Sequence, residues 1–265
     1  MKKLLTILFF VFSVSAFSQD PYFLGKTNYC TPKKAESKKQ FDAAILALQF
    51  PKYYAGATKM LMKTIEEDKE YCDAYFMAGY LFRLQDMQRE AVAMYYMADS
   101  LAQNKAPIFK MNLAVSAFRL GAVDLSRKKY QQMITHFPEN PEGYYGIANT
   151  AIVIGDFDNG LSNLKTAEKL YQNQGGVKND VKYLFGILYT FKEEYKTALP
   201  YLDDVFSTYK KDDGYLATYV LTQMKVAVET NDEKLKNKAR KNYDKIKNKN
   251  TIPDDLKNKL KEYFS

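Results

Sequence analysis

The 265-residue chain has no tryptophan, one histidine and two cysteines. It carries eight prolines and 12 glycines, most of them at turns. No period-two run of β-branched residues stands out, so strands are not expected. A single histidine, His136, cannot build a His-rich zinc site or a metalloprotease helix motif. No nucleophile elbow accompanies it. His136 falls at a helix end just before Phe137-Pro138, where a solvent-facing histidine suits the terminal carbonyls. The missing tryptophan, the lone histidine and the absence of any motif argue against a catalytic or carbohydrate-binding groove.

Other chemical signals are equally thin. Asp156 and Asp158 hint at calcium, but Gly160 comes one position early for an EF-hand and the closing Glu is missing. Gly175-Gly176 is an isolated pair, not a phosphate loop. The acidic pairs Glu66-Glu67, Glu193-Glu194, Asp203-Asp204 and Asp212-Asp213 are adjacent in sequence. Adjacent residues do not share a helix face, so these read as solvated. No catalytic residues, metal ligands or cofactor are expected.

The first 18 residues stand apart. Lys2 and Lys3 precede a 14-residue apolar run from Leu4 to Phe17, and small residues lead up to a cut before Gln19. This reads as a secretory signal peptide. The run is short of the ~20 residues that span a bilayer, and no later run approaches that length. The first cysteine, Cys30, is too far on to carry a lipid. The expectation is a soluble exported protein, periplasmic or extracellular. There, two cysteines are compatible with one disulfide, Cys30–Cys72, or with two unpaired thiols.

Charge is uneven. From Asp232 to Ser265 there are 11 Lys+Arg against six Asp+Glu, whereas Phe41–Asn231 holds 21 against 23. A nucleic-acid protein more often carries a basic stripe along its working face. Terminal basicity and export both argue against nucleic acid.

What the chain does have is a repeated pattern. In Pro141–Leu170 two helical segments meet at Gly155-Asp156. Ala148, Gly160 and Ala167 sit where the helices touch, flanked by Tyr144, Ile147 and Leu164. Similar hairpins open near Lys38, Cys72, Pro107, Pro141 and Asn179, at steps of 34, 35, 34 and 38 residues. Small residues recur in the first helix (Gly79, Ala114, Ala148, Gly186) and the second (Ala57, Ala91, Ser126, Gly160, Ala198). Aromatics open the first helix at Phe41, Tyr75 and Tyr144, and Pro138 closes the third repeat. In this it resembles the tetratricopeptide repeat family, over roughly Lys38–Tyr209. It departs in lacking Trp, in Ile45 at the first crossing slot and in missing most closing prolines.

The expected organisation is all-α: an α-solenoid of stacked antiparallel helical hairpins with a tetratricopeptide-like superhelix. After the signal, 19–37 is a polar leader and 38–209 holds about five hairpins. Residues 210–265 form a degenerate hairpin and Lys-rich capping helices. One hairpin cannot bury its apolar stripe alone, so neighbours must stack. In the family it resembles, the first helices line a concave groove for peptides or partner helices. The resemblance places Phe76, Tyr80, Arg83, Met111, Phe118 and Arg119 there, followed by Tyr145, Asn149, Tyr183, Ile187 and Phe191. The expected function is protein–protein interaction through that aromatic groove. Alternatives are a subunit of a cell-envelope assembly docking through the basic C-terminus, or an unrecognised enzyme or carbohydrate-binding protein.

Overall fold

The structure is a computed structural model describing residues 28–264, in which all regular structure is helical. The apolar start and the leader as far as Thr27 lie outside the described residues. The chain divides into two compact units, 28–143 and 144–264. Among the described residues no helix is long and apolar enough to cross a membrane.

The first unit contains three hairpins. They are α1 (Ala35–Ala47) with α2 (Tyr54–Glu67), α3 (Cys72–Leu84) with α4 (Gln88–Leu101), and α5 (Pro107–Arg119) with α6 (Val123–His136). Pro107 opens α5 at a position where its missing N–H is no loss. The α3–α4 and α5–α6 turns pass through left-handed residues, Asp86 at φ 61° and Gly121 at φ 76°. Helices α3 and α4 approach closely at Gly79: a Cβ there would lie 2.8 Å from the Tyr95 ring. The core runs through Phe41, Leu61, Tyr71, Phe76, Tyr95, Phe109 and Leu113, all buried. In the first hairpin Ala44, not Ile45, is wholly buried.

Two polar devices tie this unit together. Asp99 on α4 is buried and receives Lys110 Nζ of α5 at 2.7 Å and Lys129 Nζ of α6 at 2.6 Å. Removing the acid from such a cluster would leave two lysines with an uncompensated buried charge, typically worth about 3–5 kcal/mol. The second device holds the leader. Cys30 and Cys72 are joined in a disulfide with a Cα–Cα distance of 5.6 Å. The buried Asp73 carboxylate accepts the backbone N–H groups of Tyr29 at 3.2 Å and Cys30 at 2.7 Å. Asp68 accepts the Lys33 N–H at 2.7 Å.

The second unit begins within α7 (Pro141–Ile154). It continues with α8 (Phe157–Asn173), α9 (Asn179–Phe191), α10 (Tyr195–Tyr209), α11 (Asp213–Thr230), α12 (Glu233–Tyr243) and α13 (Asp254–Phe264). Small residues again mark the crossings. A Cβ on Gly160 would lie 2.7 Å from Ala151, and one on Gly186 would lie 2.5 Å from Leu202. Helix α11 is the apolar centre of the C-terminal part, burying Tyr215, Tyr219, Val220 and Met224. Helices α12 and α13 cover it with Ala239, Leu256 and Leu260. Asn231 takes a left-handed φ of 55° to end α11, and Asp232 then caps α12 by accepting the Leu235 N–H at 2.9 Å.

Candidate protein-binding faces

In the first unit the candidate face belongs to α3 and α5. A helix returns to the same face every three or four residues, so Phe76, Tyr80 and Arg83 share one side of α3. Phe76 was expected to face outward with the other two, and the structure corrects this. Its ring stacks on Phe109 at 4.5 Å and tilts against Tyr95 at 5.3 Å, so it belongs to the core. Tyr80, Arg83, Met111, Phe118 and Arg119 remain partly exposed. The Arg83 guanidinium lies 4.9 Å from the Tyr80 ring centre, a cation–π contact. Burial lowers the pKa of Arg119 below its ordinary value, with repulsion from Arg83 as the next cause. Tyr95 is wholly buried, and burial raises its phenol.

In the second unit two more expectations are corrected. Tyr183 lies in the core between the rings of Tyr209 at 4.8 Å and Tyr215 at 5.3 Å. Ile187, one turn on, is also fully buried. The cause is α11, whose apolar surface meets that side of α9 and turns an outward slot into an inward one. Tyr145, Asn149 and Phe191 stay partly exposed. The Tyr145 ring meets Tyr171 edge-on at 6.5 Å, and Phe191 stacks on Phe157 at 6.2 Å.

Little else offers chemistry. His136 is exposed in the last turn of α6. Among the described residues the one group of three potential metal ligands is Cys30, Cys72 and Asp73. Its sulfurs are bonded to each other and the Asp73 oxygens accept backbone N–H groups. Sequence reasoning missed Asp99 with its two lysines and the buried Tyr95 hydroxyl. Tyr95 follows the apolar period of Ala91 and Ala98, which says nothing of its hydroxyl; Asp99 is polar, and its partners are 11 and 30 residues away.

No protein-family model and no curated protein matches the chain. Solved structures do. The Cut9–Hcn1 hetero-tetramer of the APC/C superposes with a TM-score of 0.63 at 14% identity, covering 87% of this chain and 43% of that one. A tetratricopeptide repeat protein from Parabacteroides merdae gives 0.60 at 14% identity, covering 88% of this chain and 100% of that one. YrrB, a tetratricopeptide protein with an unusual peptide-binding site, gives 0.53 at 19%, covering 78% and 98%. The fold is that of the tetratricopeptide repeat. At these identities the likeness is one of fold. The tetratricopeptide geometry also accounts for the recurring small residues, because Gly79, Gly160 and Gly186 each sit where a Cβ would collide with the paired helix or its neighbour.

Proposed function

We propose that this protein is an exported, non-catalytic scaffold that holds another polypeptide on the exposed faces of its first helices. The observation that carries the reading is the patch on α3 and α5. There Tyr80, Met111 and Phe118 stay partly open to solvent beside Arg83 and Arg119, while neighbouring apolar residues are buried. Partly exposed aromatics next to arginines are the side chains that carry most binding energy in typical interfaces. The tetratricopeptide fold, shared with the peptide-binding YrrB, supports the same reading. Basicity confined to the ends of the chain favours a polypeptide over a nucleic acid. Export rests on the apolar start Met1–Ser18, and the Cys30–Cys72 bond suits an oxidising compartment.

The test compares three proteins as bait against a cell-envelope extract, with melting temperature measured for each. They are the wild type, a Tyr80→Ala/Phe118→Ala variant and a Lys234→Gln/Lys241→Gln variant. The partner should be retained by the wild type and the lysine variant and lost from the aromatic one. Loss from the lysine variant alone would move the site to α12 and favour docking of the basic C-terminal helices. Mass analysis of the exported protein should find Gln19 at its start.

A further inference from the structure

Positive charge gathers at one place in the second unit, from the end of α12 into the loop before α13. Residues 240–249 carry Arg240, Lys241, Lys245, Lys247 and Lys249 against one acid, Asp244. All five cations are exposed, and none pairs with a carboxylate among the described residues. The acids around them are engaged elsewhere. Glu233 pairs with Lys236, Asp203 with Lys238 and Asp254 with Lys257. Both oxygens of Asp213 accept backbone N–H groups, from Lys247 at 3.0 Å and Asn248 at 2.9 Å.

Like charges this close in sequence repel one another and work against the folded state. The backbone that carries them is nevertheless fixed. Asn242 is buried and donates to Gln223 Oε1 of α11 at 3.1 Å. Ile246 and Ile252 are buried on either side of the loop, and Asp213 holds 247 and 248 to the start of α11. The inward positions anchor the stretch and the cations are left outside. A held cationic surface with no acids of its own is complemented by negative charges spread over an area.

The kind of cation says which area. Four of the five are lysines, point charges on flexible stems, where a partner with fixed carboxylates would favour the planar fork of arginine. A folded acidic protein must bring its charges to matching positions, whereas lipid headgroups move to meet each ammonium where it stands. The Tyr243 ring stacks on Phe264 at 3.9 Å and lies 4.1 Å from Lys249 Nζ, with both rings partly exposed. Aromatic rings beside lysines are the side chains that settle at the headgroup level of a bilayer. The body of the chain does not oppose the approach, since Phe41–Asn231 holds 21 basic residues against 23 acidic ones.

We propose that Arg240, Lys241, Lys245, Lys247 and Lys249 form a docking surface for an anionic lipid bilayer. It is independent of the polypeptide reading above. A scaffold docked in this way carries whatever it holds to a membrane surface.

The test is co-sedimentation of the full chain with vesicles of phosphatidylcholine alone or with about one-third phosphatidylglycerol, with no polypeptide present. The anionic vesicles should bind at least about tenfold tighter than the neutral ones. That preference should collapse as salt is raised and the screening length falls from about 10 Å at 0.1 M to about 3 Å at 1 M. Lys245→Gln/Lys247→Gln/Lys249→Gln, all exposed positions, should keep its melting temperature and lose at least about tenfold in affinity for the anionic vesicles. Lys59→Gln/Lys69→Gln/Lys105→Gln removes the same charge from exposed positions of the first unit and should bind like the wild type. Equal binding to both vesicles would overturn the proposal. So would equal losses in the two triple variants, which would reduce the effect to net charge. Soluble polyglutamate that displaces the anionic vesicles at the same charge concentration would assign the surface to an acidic polypeptide instead. None of these outcomes touches the face on α3 and α5, so failure here leaves the polypeptide reading standing.

Discussion

At the scale of the residue, the small side chains were the most informative letters in this chain. Gly186 and Gly160 were legible as crossing points because they recur at the repeat spacing. The structure adds what stands opposite, Leu202 and Ala151. Gly186→Leu places a branched side chain where a single Cβ already approaches Leu202 to 2.5 Å. Overpacking of this kind costs about 1–3 kcal/mol and sometimes more. A Cβ at Gly176 would meet no neighbour within 4 Å, but Gly176 has a φ of +138°, so Gly176→Leu is not free of penalty either. Backbone strain there costs on the order of 1–3 kcal/mol when fixed, less where an exposed loop relaxes. Gly186→Leu should therefore give the larger melting shift, read by thermal unfolding of both variants. Equal shifts would contradict the crossing. The aromatic slots were less legible. Phe76 and Tyr183 have the spacing of an outer face, but what covers them comes from other helices: Phe109 and Tyr95 for the first, Tyr209 and Tyr215 for the second. A periodicity within one helix carries no information about such cover.

At the scale of the element, the segment before α1 has no periodic pattern at all. The sequence offered two cysteines and no proof of their proximity. The structure supplies three further ties, from Asp73 and Asp68 to the backbone of 29–33. The Tyr29 ring also meets Phe109 edge-on at 5.2 Å. The bond closes a span of 42 residues that contains all of α1 and α2. By loop entropy such a crosslink is worth about 4 kcal/mol. Cys30→Ser/Cys72→Ser should lower stability by roughly that amount, less whatever structure the unbridged chain retains. The effect should be local as well. Hydrogen exchange should rise first in 28–67, with 144–264 keeping its protection. An unchanged pattern in 28–67 would mean that the aspartates alone hold the segment.

At the scale of the molecule, apolar area and aromatic rings hold each unit together, and many of those rings are tyrosines. Tyr71, Tyr95 and Tyr130 in the first unit are buried, as are Tyr183, Tyr215 and Tyr219 in the second. In each of the six, burial raises the phenol above its ordinary value of 10.0. For Tyr219 the Asp203 carboxylate that accepts its O–H adds to the rise. A raised pKa means that the folded chain keeps a proton which the unfolded chain releases above pH 10. The stability these phenols contribute is full below that pH and falls as pH climbs through the folded values. Each phenol steepens the fall by up to about 1.4 kcal/mol per pH unit. Six together exceed the total stability of an ordinary domain, about 5–15 kcal/mol, within one or two pH units. Alkaline titration should therefore show a late, cooperative step in which the six buried phenols ionise together with loss of helix. With no tryptophan in the chain, phenolate absorbance reports this without interference. Circular dichroism followed on the same samples decides the matter. A single smooth titration of all 22 tyrosines with helix intact would show that these rings are open to water.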